Sequence, residues 1–372
     1  MLKFEYKEIK YKNNNLKFGG AMSFSTEKRE SMKRYMLEKI RMDDEQYIAK
    51  TAENFQISVT SVKRYIAECI ADGIIEKCDE KATGYRLITK EDEFIYFLKE
   101  QLWEDKIYYT DIFPLLKHTS PEAQGIWSYS FMEMMNNAIE HSQAEKIYCH
   151  VKRDYLFTEI SIVDDGIGIF RNIQNYFKKE KGLIIDCHDA ILELHKGKFT
   201  TNPRNHSGEG IFFTSKVLRE FVVLSDAAYF SAGCAERDKL IQSHLLAYFT
   251  KINHIGTMIV LKLENQTTKK RKEVFDLYAP VEDGFVKTYI PLKEVCPYGE
   301  PIARSQARRV AYRLEEFRQV ELDFAGIDFM GQGFADEIFR VFQNQHPEIL
   351  LIPKNANEAV LGMIQHVRAN LK

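Results

Sequence analysis

From Thr26 the apolar positions recur every three or four residues, and Met32, Tyr35, Met36 and Ile40 fall on one face of a helix. Tyr47, Ile48, Ala52 and Phe55 predict a second, shorter helix. Val59, Val62, Ile66 and Ile70 predict a third, with Ser58 as its N-cap and Gly73 as its stop. Residues 74–77 and 85–88, joined by a polar turn containing Gly84, read as a short hairpin. Next comes a connecting helical stretch over 91–116, with Phe94, Phe97, Leu98 and Leu102 on one side and Pro114 ending or bending it. A long amphipathic helix follows Pro121, through Trp127, Phe131, Met134, Met135, Ala138 and Ile139. Strands are expected at 146–152, 157–163, 221–224, 257–263 and 288–291. From Arg304 the pattern alternates helix, strand (320–324), helix, strand (349–352) and helix, a small α/β domain.

Three helices followed by a hairpin predict a winged helix-turn-helix over 23–90. Its third helix places Thr60, Ser61, Lys63 and Arg64 near its start, where a recognition helix meets base edges and phosphates. A protein-interaction module of the same shape would carry the same residues as an ordinary solvated face. Between Lys28 and Lys90 there are 13 basic and 11 acidic residues, a difference of about +2, so the helix argues for DNA more than the charge does.

Composition narrows the field. The 372 residues suggest two or three domains. With 45% hydrophobic and 28% charged residues, wholesale disorder is excluded, and a net charge of -2 excludes a chain built mainly to coat nucleic acid. No apolar run approaches the roughly 18 residues of a membrane span, and no signal peptide is visible, so no membrane association is expected. The six scattered cysteines form no CxxC pair and read as reduced thiols, which makes a cytoplasmic protein the expectation. His188 and His195, near Cys187, match no metal-binding spacing and are expected in a solvated loop. The first 21 residues, with five Lys and two Glu, are expected to form a strand-like arm or to stay loose. The Gly19-Gly20 pair ahead of Met22 can be encoded by a ribosome-binding sequence, so Met22 is a candidate native start and 1–22 a separate arm.

Three blocks occur in order along the middle of the chain. Glu133 to His141 (EMMNNAIEH) lies on the long helix, Asp164 to Ile169 (DDGIGI) follows a strand, and Ser207 to Ile211 (SGEGI) opens another helix; Gly256-Thr257 begins a strand. Glu133 and Asn137, four apart, share a helix face. There a carboxylate can orient or deprotonate a water, and an amide oxygen can take a position on Mg²⁺. Asp164 can accept a hydrogen bond from an exocyclic amine, favouring adenine over guanine. Gly166 and Gly168 let backbone approach a base, and Gly208 and Gly210 offer bare N–H groups to phosphates. Thr257 can support the hydrogen bonds on the adenine side.

Singly these pieces are common turn and surface chemistry. In this order they resemble the N, G1 and G2 boxes of the GHKL family of ATP-binding domains (gyrase, heat-shock chaperone, histidine kinase and MutL type), over about 121–291. The resemblance implies an α/β sandwich, the Bergerat ATP-binding fold, with ATP and Mg²⁺ under a mobile lid at 170–206. It implies Asn137 as Mg²⁺ ligand, Glu133 as general base, Asp164 as adenine reader, and Gly166, Gly168, Gly208 and Gly210 as pocket lining. In the lid, Lys178, Lys179, Lys181, Lys196, Lys198 and Arg204 are candidate phosphate contacts.

Residues 284–372 resemble a STAS-like domain, on Val320 to Phe324, on Ile327 to Glu337 and on the following strand–helix unit, with a domain limit expected at 292. STAS domains have the fold of anti-sigma-factor antagonists, which a kinase partner phosphorylates on a Ser at a helix start. Here that neighbourhood is Met330-Gly331-Gln332-Gly333 and has no hydroxyl, which leaves docking to a protein partner as the expectation. The whole is expected to be a multidomain α/β (α+β) protein: winged helix (23–90), helical connector (91–120), GHKL domain (121–291) and STAS-like domain (292–372). The order suggests a DNA-binding transcriptional regulator switched by ATP, with ATP hydrolysis an open question and homodimerisation plausible. The alternatives are a serine/threonine kinase of the anti-sigma type and an ATPase component of a stress or defence complex.

Overall fold

The computed structural model describes residues 25–201, 208–225, 228–233, 254–296 and 299–369. The N-terminal arm with Met22, and the candidates Arg204 and Ser207, lie outside the described residues. The chain divides into two compact units. One holds the residues up to Lys90 together with Arg153–Phe157; the other holds Glu91–Lys152 and everything from Thr158.

In the first unit, α1 (Thr26–Arg41), α2 (Tyr47–Phe55) and α3 (Val59–Ala71) precede β1 (Ile75–Lys77) and β2 (Tyr85–Leu87), an antiparallel hairpin. Ser25 Oγ caps α1, accepting from Lys28 N, and Ser58 Oγ caps α3, accepting from Ser61 N. The apolar stripes meet in one cluster of Met32, Met36, Leu37, Ile40, Val62, Tyr65 and Ile66. Leu156 and Phe157, from much later in the chain, complete it.

The second unit is a helix-and-sheet structure with two sheets. The larger has six strands in the order β3-β4-β5-β8-β6-β7: β3 (Lys90–Phe97), β4 (Lys146–Arg153), β5 (Phe157–Asp164), β6 (Glu220–Ser225), β7 (Ala228–Ala232) and β8 (Thr257–Glu264). On one face lie α4 (Pro121–His141), α5 (Ile169–Tyr176), α6 (Cys187–Lys196) and α7 (Gly210–Val217). Trp127, Phe131, Met134 and Met135 of α4 share a core with Ile147, Ile160, Ile162, Phe221 and Ile259 of the strands. Val163, Val222, Met258 and Val260 form a smaller cluster apart from it.

The second sheet is parallel, in the order β11-β10-β9: β9 (Lys287–Pro291), β10 (Gln319–Asp323) and β11 (Leu350–Lys354). It packs with α8 (Arg271–Tyr278), α9 (Arg304–Ala311), a helix over 332–345 (α10) and α11 (Glu358–Ala369). Its core does not stop at residue 292. Leu192 of α6 and Phe212 and Phe213 of α7 lie in it beside Phe285, Ile290, Val310, Leu322 and Phe334.

Three expectations change. The stretch over 91–116 opens as a strand, not a helix: β3 is an edge of the larger sheet, and helix begins only at Glu104. The strand expected to end the middle domain pairs instead with β10, Thr288 opposite Val320. His195, expected in a solvated loop, is buried on α6 against the Phe230 ring, 4.4 Å between centroids. Among the described residues no helix is long and apolar enough to cross a membrane.

Candidate functional site

The site begins with the turn geometry of α4. Ser120 Oγ accepts from Ala123 N at 3.2 Å and Pro121 occupies the first turn, so the helix starts cleanly. With its apolar stripe buried against the sheet, the 3.6-residue repeat carries Glu133, Asn137 and His141 along one edge. These three line a cavity of ≈ 320 Å³. Asp164, Gly168, Gly208, Gly210 and Thr257 line the same cavity. Of the candidates given a role in the three motif blocks and at Thr257, the cavity brings together all but Gly166, which stands directly behind the wall.

Asp164 ends β5 and is buried. Its Oδ1 accepts from Gly166 N at 2.9 Å and from Thr257 N at 3.2 Å. Burial pushes its carboxyl up to about 6 against the hydrogen bonds of Gly166 and Thr257, which hold it down. Thr257 is held in turn, its Oγ1 accepting from Ile169 N at 3.0 Å. A Cβ on Gly166 would lie 2.0 Å from the Ser142 carbonyl oxygen, and one on Gly256 would lie 2.4 Å from the Gly166 carbonyl oxygen. Three strands of backbone thus converge behind one carboxylate, and only glycine fits.

On the opposite side, Gly208 has a positive φ of 74° against the backbone of Phe199. Gly210 opens α7 so close to α4 that a Cβ there would stand 2.1 Å from Glu133 Oε2. The Glu133 carboxylate therefore lies at a helix start, where unpaired N–H groups and the helix dipole favour negative charge. Burial raises the neighbouring Glu209 carboxyl, with Lys198 opposing.

The sequence does not single out the cavity residues Asn172, Glu193, Phe199, Thr200 and Thr201. All five fall in the segment expected as a lid, where no motif stands out. The lid lysines divide: Lys178, Lys179 and Lys181 are exposed. Lys196 and Lys198 instead donate to carbonyls of residues 309–316, Lys198 Nζ to Glu316 O at 2.6 Å. His195 lies beside Glu294, Nε2 to Oε2 3.6 Å, and burial holds its pKa well below the usual histidine value. Among the described residues no group of three or more His, Cys, Asp or Glu side chains could hold a metal ion.

In the first unit, Thr60, Lys63 and Arg64 are exposed on α3, and Arg64 lies 3.7 Å from Glu68. Ser61 is half-buried and its backbone N–H is taken by the Ser58 cap.

Residues 306–361 match a protein family described as a STAS-like domain of unknown function (DUF4325). The chain thus has a C-terminal STAS-like domain, and the match runs from within α9 to the first turn of α11. Comparison of the chain with curated proteins yields no match.

Proposed function

We propose that the cavity between α4, α6 and α7 binds ATP with Mg²⁺ and that the chain is a nucleotide-operated regulator of the GHKL type. The observation that carries this reading is convergence. Residues from four stretches far apart in sequence, at Glu133–Asn137, Asp164–Gly168, Gly208–Gly210 and Thr257, line one cavity. Their chemistry suits the nucleotide end to end. Asp164, oriented by two amides, accepts from an exocyclic amine. The close approaches at Gly166 and Gly210 leave backbone bare where a side chain would intrude. Asn137 supplies a single amide oxygen, which suits Mg²⁺, an ion that takes few protein ligands beside substrate phosphates. ATP would supply a transferable phosphoryl group. Glu133 would orient and deprotonate the attacking water if the bond is hydrolysed.

For the first unit we propose a winged helix whose third helix, through Thr60, Lys63 and Arg64, contacts DNA, with Ser61 serving the helix start. The STAS-like domain would dock a protein partner. An anti-sigma-type kinase remains the competing reading, because it also pairs a GHKL domain with a STAS-like one.

Incubation of the whole chain with γ-labelled ATP and Mg²⁺, beside Glu133→Ala, decides between them. The expected result is free labelled phosphate from the wild type, and bound but unhydrolysed ATP on the variant. Label on the chain or on an added protein would establish the kinase. Full turnover by Glu133→Ala would remove the base assignment.

A further inference from the structure

One buried carboxylate belongs to both the cavity wall and the seat of the STAS-like domain. Glu193, on α6, lines the cavity and is 4% exposed. Each of its oxygens takes one cation: Oε1 accepts from Lys196 Nζ at 2.7 Å, and Oε2 from Arg313 Nη1 at 2.7 Å. Lys196, wholly buried, also donates to the carbonyl oxygens of Arg309 at 3.0 Å and Tyr312 at 2.6 Å. Arg313 turns its other donors on Lys198 O at 2.8 Å and on the Glu316 carboxylate at 2.7 and 2.8 Å. Thr288 Oγ1 on β9 donates to Lys196 O at 2.7 Å. Arg309, Tyr312, Arg313 and Glu316 all fall within the residues that match the STAS-like family.

Two features argue that this cluster does more than hold two parts together. A buried ion triad is a poor source of stability compared with apolar packing, but it imposes one geometry, since moving any member strands a charge. And Arg313 sits at φ 63°, a left-handed conformation costly for a residue with a Cβ and kept only where its surroundings over-determine it. The guanidinium's partners are what over-determine it here.

We propose that Glu193, Lys196 and Arg313 form the coupling element between the cavity and the STAS-like domain. Filling the cavity and seating residues 309–317 on α6 bias one another through the Glu193 carboxylate. The proposal rests on the nucleotide reading of the cavity. A polyanionic ligand beside Glu193 raises the value of the two cations that neutralise it, so it favours the seated arrangement; by linkage, loss of the seat weakens the ligand to the same extent.

The experiment uses the full chain, with Mg²⁺-ATP and Mg²⁺-ADP as probes. It measures affinity by calorimetry and amide hydrogen exchange in peptides spanning 304–323. In the wild type, saturating nucleotide should slow exchange there by about fivefold or more, within the range typical of allosteric coupling. Arg313→Gly keeps the left-handed backbone and removes the guanidinium. It should reduce that response to less than about twofold and weaken nucleotide binding by the factor that the response loses, since linkage is reciprocal. Arg313→Lys, which restores the charge without the fork, should recover part of both. A wild-type chain that binds nucleotide with unchanged exchange over 304–323 overturns the coupling and leaves the nucleotide reading intact; so does an Arg313→Gly chain that responds like the wild type. No binding to the wild type overturns the nucleotide reading and the coupling with it, and calorimetry alone reveals that. The wild-type comparison decides even if the variant does not fold.

Discussion

Glycines 166 and 210 both stand where a Cβ would collide, yet their neighbours make the two substitutions different experiments. At 166 the obstacle is the backbone carbonyl of Ser142, 2.0 Å away, which cannot yield without moving the end of α4. Gly166→Ala is therefore expected to destabilise the whole second unit by several kcal/mol, at the upper end for single substitutions, read as a lower midpoint in urea. At 210 the obstacle is the far end of the Glu133 side chain. Gly210→Ala should fold with a near-normal midpoint and displace that carboxylate, so turnover falls while nucleotide binding persists. Equal loss of stability in both variants would contradict this division.

Asp164 makes a prediction about pH with two opposite arms. Its folded pKa of about 6 lies above the ordinary 3.8, so between these values the folded chain binds the extra proton. Asp164's contribution to stability is thus fully present below about pH 3.8 and is lost as pH rises through 6. On the proposed nucleotide reading, affinity would run the other way, because the ionised carboxylate would be the acceptor. Affinity should fall by up to about tenfold per unit below pH 6. Asp164→Asn should bind weakly at every pH and lose this dependence, as calorimetry from pH 5 to 8 would show.

At the scale of elements, what could be read from the sequence follows where one period dominates. The stripe through Trp127, Phe131, Met134 and Met135 defines α4 without ambiguity, so Glu133 and Asn137 were placeable on one edge. The Phe94, Phe97, Leu98 and Leu102 spacing suits a helix as well, but Phe94 to Phe97 is an unbroken apolar run. In β3 that run alternates half-buried and exposed, a distinction that only the neighbouring β4 supplies. The helix α6 was hidden for another reason: its Glu193 and Lys196 look like solvent-facing charges until Arg313, 120 positions from Glu193, is beside them. Nothing local in sequence reports a pairing at that range. The buried triad also makes Glu193→Ala costly. It strands Lys196 and Arg313 together, and a loss of about 3–5 kcal/mol is expected, measured by denaturant unfolding. A loss below about 1 kcal/mol would mean that water reaches the cluster.

At the scale of the whole molecule, the resemblances placed a limit at residue 292 that the core ignores. Leu192, Phe212 and Phe213 lie in the same apolar cluster as the STAS-like domain, and α7 thus opens on the cavity while its Phe212 and Phe213 are buried with residues of β9 and β10. Sequence motifs mark chemistry, and nothing in them marks which core a phenylalanine joins. A chain cut after Pro291 would leave Phe212 and Phe213 their ring neighbours Phe275, Tyr278 and Phe285 but would remove the rest of the cluster, Val310, Leu322 and Phe334 among it, at about 1.5–3 kcal/mol for each side chain that loses its burial. A few such losses together are comparable with the entire stability of a typical domain. The truncated chain should therefore aggregate or unfold, as size-exclusion chromatography would show; a monodisperse, cooperatively unfolding product would refute the shared core.

The first unit carries a consequence for synthesis. Its three helices and hairpin are complete by Leu87, but Leu156 and Phe157 finish their core, and these leave the ribosome only after the stretch that follows Lys90. At about 5–20 residues per second, the nascent helices wait several seconds with part of their apolar face uncovered. In that interval the open apolar face is a binding surface for whatever recognises such surface, and the earliest unit is closed only after the opening stretch of the second has been made.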